Sequence, residues 1–192
     1  TIGANETVDI KVNASHKVGA NQSISVGGNQ ELNVGSVGSA KVAGDISISV
    51  GGNLTDNAIS NYVEKIGADK STSIGGRMTT ICNGVRQTIS GNVDRSVSSV
   101  MLTASVASIS DEFGGNNTEN IGIARVDLCK GSIGETIAGN KMTKSMAADV
   151  HVVKSNYATE VGAMCTQMVG GLHYSKVAGD YTVTAPMITL IG

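Results

Sequence analysis

Val-Gly and Ile-Gly pairs recur along this chain at multiples of eight residues: Ile2-Gly3, Val18-Gly19, Val26-Gly27, Val34-Gly35, Val50-Gly51, Ile66-Gly67 and Ile74-Gly75. A fixed short period constrains the fold strongly, because every repeat must form one unit of structure and bury it against its neighbours. Filling the frame gives Ile2, Ile10, Val18, Val26, Val34, Val42, Val50, Ala58, Ile66 and Ile74. The frame then slips by one residue between 74 and 81. It resumes as Ile81, Ile89, Val97, Ser105, Phe113, Ile121, Cys129, Ile137, Ser145, Val153, Val161, Val169, Val177 and Ala185. Of these 24 positions 22 are apolar, where a chain that is 40% hydrophobic would give about 10 by chance.

The second residue after each key position is Gly, Ala or Ser at 20 of the 24 steps, and Asn often follows, as at Asn5, Asn21, Asn29, Asn53, Asn92 and Asn140. Each octad therefore reads as a strand of about five residues ending on a buried residue, then a tight corner. Glycine supplies positive φ or close backbone approach there. Two residues before the key position the early octads are apolar too (Val8, Ile24, Leu32, Ile48), which is strand alternation with one face inward. One octad covers one face only. A single chain of such units is expected to lack a continuous core, so the fold class predicted is all-β, an intertwined triple-stranded β-helix of three identical chains. Its key side chains meet at the axis: Val18, Val26, Val34, Val42, Val50, Ile66, Ile74, Ile89, Val161, Val169 and Val177. Strand spacing makes such a needle roughly 110 Å long. The repeat domain spans 1–185, and 186–192 form an apolar distal tip.

Composition excludes several classes. Aromatic residues are 3% of the chain, too few for an ordinary globular core. The net charge of -2 and the absence of a basic run give no case for nucleic acid. No apolar stretch approaches the ~20 residues of a membrane helix. No signal peptide is visible; Thr1-Ile2-Gly3 already stands within the repeat, so a preceding domain is expected. Cys82, Cys129 and Cys165 have no metal-ligand spacing and read as reduced, packed thiols.

The V-x-G octads, clearest in Ile2–Ile89 (Val18-Gly19-Ala20-Asn21 through Val50-Gly51-Gly52-Asn53) and again in Val161–Asp180, resemble the triple-stranded β-helix of phage cell-puncturing needles. They resemble still more the C-terminal needle of VgrG, the type VI secretion spike family. That resemblance implies a non-enzymatic, membrane-puncturing homotrimer, assembled in the bacterial cytoplasm and driven outside or into a target cell by a contracting sheath. It also implies tail-tube contacts through a missing N-terminal domain, effector delivery, and a PAAR-type cap. The cap is expected on Met187, Ile188, Thr189, Leu190, Ile191 and Gly192.

Between Val97 and Val153 the pattern degenerates. Ser105 and Ser145 break the key position, and Asp111, Glu119, Asp127 and Glu135 fall two residues before it, on the nominally inward face. Buried carboxylates are costly unless paired or hydrated, so either the strand bulges there or the bore is wet or ion-filled. His16 and His151 share the same slot and are candidates for an axial ion on a threefold axis, although a corner or hydrated His is the plainer reading. No other cofactor is expected. His173 reads as solvated surface. Gly27-Gly28-Asn29 and Gly114-Gly115-Asn116-Asn117 recur with the octads and read as corners, not phosphate cradles. Asp111, Glu112 and Glu119 could be paired acids, but no nucleophile or pocket-forming segment accompanies them. The alternatives are a trimeric phage fibre or adhesin shaft and, from the enzyme class, a carbohydrate-active β-helix, which needs loop insertions to build a cleft.

Overall fold

A computed structural model describes residues 1–191. Among them there are 22 strands and no helix, and all pairing between strands is parallel. The chain winds as a three-faced β-solenoid. The first face carries β1 (Glu6–Ile10), β4 (Gln30–Val34), the first halves of β7 (Leu54–Ile66) and β9 (Met78–Ile89), β11 (Met101–Ser105), β14 (Ala124–Cys129), β17 (Ala148–Val153) and β20 (Leu172–Val177). The second carries β2 (Ala14–Val18), β5 (Gly38–Val42), the second halves of β7 and β9, β12 (Ile109–Phe113), β15 (Ile133–Ile137), β18 (Tyr157–Val161) and β21 (Tyr181–Thr184). The third carries β3 (Gln22–Val26), β6 (Ile46–Val50), β8 (Lys70–Ile74), β10 (Val93–Val97), β13 (Asn117–Ile121), β16 (Lys141–Ser145), β19 (Met164–Val169) and β22 (Met187–Ile191).

Three consecutive octads thus make one turn, and strands pair with the strand one turn on, as Val26 pairs Val50 and Phe113 pairs Ile137. This corrects the premise that one chain of octads cannot close a core. An octad does cover one face, but the next two octads of the same chain cover the other two. In this structure the rungs on each face come from one chain, not from three in alternation. Eight rungs per face at the usual strand spacing make a stack roughly 38 Å tall.

Along a five-residue strand the first, third and fifth side chains point inward. The first and fifth meet at the corners and the third points into the bore. The apolar core is therefore three columns at three corners. Val26, Val50, Ile74, Val97 and Ile121 stack with Leu54 and Met101. Val42, Ile66, Ile89, Phe113, Ile137 and Val161 stack with Ile46 and Val93. Val34, Ala58, Cys82, Cys129 and Val153 stack with Val85, Ile109 and Tyr157. All the key residues expected at the core are buried except Val18 and Val177, which are half-buried in the two end turns.

The frame slip lies elsewhere than expected. Ile81 is 47% exposed while Cys82 is 4% exposed and pairs Ala58, so the frame runs unbroken to Cys82. The seven-residue step is Cys82 to Ile89, where β9 bends between faces with no separate corner segment.

No glycine among the described residues has positive φ. The corner glycines serve close approach instead. A Cβ on Gly52 would stand 2.2 Å from Asn29 Oδ1, and one on Gly51 would stand 2.4 Å from the carbonyl oxygen of Gly27. The asparagines form a ladder beside them. The Asn29 N–H donates to Asn5 Oδ1 (2.8 Å), Asn53 N–H to Asn29 Oδ1 (2.8 Å) and Arg77 N–H to Asn53 Oδ1 (2.8 Å). Each satisfies a corner N–H that no strand can reach.

Candidate functional site

The bore changes character along the stack. Its lining in the second turn is Leu32, Ala40 and Ile48, below which Ile24 closes the first turn; from the third turn to the seventh polar and charged side chains take over. Asp111, Glu119, Asp127 and Glu135 face inward on regular strands, so the strand does not bulge to expel them. Cations meet them. Arg95 Nη1 lies 2.6 Å from Glu119 Oε1, and Arg125 Nη1 lies 2.6 Å from Glu119 Oε2. Arg125 Nε donates to Asp127 Oδ2 (2.9 Å), Lys70 Nζ lies 2.5 Å from Glu64 Oε2, and Lys141 pairs with Glu135. His151 Nδ1 stands 3.1 Å from Asp127 Oδ2, and its Nε2 3.1 Å from Asp149 Oδ1, within ion-pair range but off the hydrogen-bond direction. Gln87 links two of these pairs, donating to Glu64 and accepting from Arg95.

The pairing is balanced. Glu64, Glu119, Asp127, Glu135 and Asp149 stand against Lys70, Arg95, Arg125, Lys141 and His151. Burial alone would raise Asp127, but Arg125 and then His151 hold its carboxyl well below the usual range. Burial would likewise lower His151, and the flanking Asp127 and Asp149 instead hold it up at about 9. Two carboxyls are left over. Burial pushes Asp111 up to about 7 against the pull of Arg95, and Asp56 up to about 6 against Lys70. Asp111 Oδ1 is shut off from water without a hydrogen-bond partner. A cavity of about 330 Å³ lies at the C-terminal end of the bore, beside Arg125, Lys141, His151 and Tyr157.

The other candidates disperse. His16 is exposed in the first turn against Gln22 Nε2, at 2.9 Å, and lies far along the stack from His151 on a different face. Among the described residues no group of three His, Cys, Asp or Glu could hold a metal ion. Glu112 points outward on the second face, away from Asp111 and Glu119. His173 is exposed, 4.0 Å from Asp149. The three cysteines are buried and free. Met187–Ile191 extend the third face as β22, paired with β19, and expose Met187, Ile188, Leu190 and Ile191; Gly192 lies outside the described residues.

Sequence reasoning located four of the inward carboxylates, Asp111, Glu119, Asp127 and Glu135, but not Asp56, Glu64 or Asp149, and it missed the cations. The signal was present as a six-residue spacing: Glu64–Lys70, Glu119–Arg125 and Glu135–Lys141. Six residues lead from the bore position of one strand to the first inward position of the next. What the fold and the bore define is a three-faced parallel solenoid with an ion-paired interior. Comparison with known protein families, curated proteins and solved structures finds no match for this chain.

Proposed function

We propose that the chain is a mechanical shaft: the needle segment of a spike of the VgrG kind in a bacterial contractile injection apparatus, without catalysis of its own. The observation that carries this reading is the uninterrupted stack. Among the described residues every connection between strands is two or three residues long, so no lobe rises there from any face to wall a cleft. A carbohydrate-active solenoid builds its site from such lobes. In this reading the spike is assembled in the cytoplasm and ejected through a target membrane with its effectors. The exposed edge and apolar side chains of β22 take a PAAR-type cap, because an open strand edge offers unpaired backbone groups to a partner.

The finer part of the proposal is an intertwined homotrimer. Each rung would exchange the partner one turn on in its own chain for an equivalent strand of a second copy. The octad frame allows that exchange without turning any inward residue outward, since successive octads address successive faces. The intertwined rod is roughly 110 Å long and the single-chain stack roughly 38 Å. Light scattering with small-angle scattering on the 192-residue chain tests both parts together. The proposal expects three times 19.5 kDa in a rod near the longer value. A particle of 19.5 kDa near the shorter value rules the trimer out.

A further inference from the structure

The outer surface of the first face differs from the other two. Its outward columns run Leu102, Val126, Val150, Tyr174 and Ile81, Ala104, Leu128, Val152. Val106, Ile123 and Met146 extend the patch onto the flanking corners, at 57%, 48% and 58% exposure. In the same turns the columns of the third face run Asp94, Thr118, Met142, Thr166 and Ser96, Asn120, Lys144, Met168, largely polar. Parallel sheets are normally covered on both faces, and a contiguous apolar patch on a surface marks a contact site.

The surroundings say what kind of contact. Lys130 and Lys154 stand on the corner beside the patch, Lys176 continues the Val152 column, and Lys144 lies near the opposite corner; all four are exposed. The patch carries no carboxylate. In the same turns the exposed Asp94, Glu112 and Glu160 lie on the other two faces. Protein interfaces favour aromatic residues and Arg and are depleted in Lys, whereas this surface is aliphatic, holds one Tyr and is fringed by lysines. It is also flat, with no loop to grip a partner's side chain. Long lysines that lay their stems on apolar surface and raise their ammonium groups to anionic headgroups suit a lipid boundary.

We infer that the first face, from Ile81 to Tyr174, is a lateral docking surface for an anionic bilayer. This goes beyond the shaft reading and belongs to the chain wound on itself, where these rungs are neighbours; an intertwined trimer would place rungs of the other copies between them and break the columns.

Sedimentation of the intact 192-residue chain with vesicles tests it. Vesicles of phosphatidylcholine with three-tenths phosphatidylserine should carry the protein down, and pure phosphatidylcholine vesicles should not. Leu128→Asp with Val152→Asp should abolish binding, while Ser71→Asp with Ser96→Asp on the third face should leave it. Lys130→Ala with Lys154→Ala, which disturbs no packing, should weaken binding about thirtyfold, at roughly fivefold per lysine near an anionic surface. Absence of binding to the anionic vesicles overturns the inference, as does unchanged binding by the lysine variant. Concentration-dependent dimers lost in Leu128→Asp would assign the patch to a second copy instead and equally overturn it.

Discussion

Strands β6 and β17 each run as one parallel rung into a corner valine, Val50 and Val153, and lie on neighbouring faces of one solenoid. In β6 the serines Ser47 and Ser49 point out while Ile46, Ile48 and Val50 point in. In β17 the valines Val150 and Val152 point out while Asp149 and His151 point in, and only Val153 keeps the apolar corner. The two strands show what the octad demands and what it leaves free. It demands an apolar residue where the chain turns the corner, because three neighbours converge there. It does not demand an apolar bore. The bore accepts charge where a carboxylate finds a cation on its own face, as Asp127 finds Arg125, or on the adjacent one, as Glu135 finds Lys141, and the outer surface then becomes free to be apolar.

The largest effect that would break this contrast comes from placing a bore-type residue at a regular corner. Val26→Asp, at 2% exposure in the column of Val50, Leu54 and Ile74, should cost at least about 4 kcal/mol. Ser23→Asp on the same strand, pointing outward, should stay within about 0.5 kcal/mol of the parent. Equal losses in chemical denaturation would mean that the register is wrong.

Nearly as large is the loss expected on removing a bore cation. Arg125→Met keeps most of the volume but removes the cation that Glu119 and Asp127 share, leaving Glu119 with Arg95 and Asp127 with His151 alone, and should cost about 3 kcal/mol. Melting curves that barely move would show the bore to be open to water.

A smaller effect is one of pH. The folded values of Asp56 and Asp111 stand above their unfolded ones, so their contribution favours the fold at low pH and is lost as pH rises through about 6 and about 7. Asp127, Glu135 and Asp149 are held low, and their contribution is lost as pH falls below the ordinary carboxylate range. His151, held at about 9, gives stability that is complete below 6.5 and lost as pH rises through 9. Stability should therefore peak on the acid side of neutrality. Asp111→Asn should flatten the decline toward pH 7 and raise the melting temperature there by a few degrees. An unchanged profile would remove Asp111 from the bore.

The regular third of the fold was legible because Val26, Val50 and Ile74 announce the corner and the serines between them announce the outside. The closure of a turn by one chain was not. An octad specifies which face comes next but not which chain supplies the rung above. The slip was misplaced because Ile81 is the more apolar neighbour, and the choice of Cys82 depends on the bend in β9. Asp111, Glu119, Asp127 and Glu135 were legible from their slot, whereas Asp56 and Glu64 sit in octads whose regular corners draw the eye, and Asp149 takes a corner position. Arg125 and Lys141 were not, because taken singly a lysine or arginine on a strand reads as solvated, and their pairing appears only when two faces are counted together.

Cysteine accessibility along β17 is the most direct measure of the inverted strand. Val150→Cys, Val152→Cys and Val153→Cys would each be exposed to a maleimide in the folded chain without lipid, with the buried native thiols as an internal blank. The expected result is rapid labelling at 150 and 152 and protection at 153. Protection at 150 and 152 with labelling at 153 would contradict the account, since it would return the valines to the interior and leave the bore without its charges.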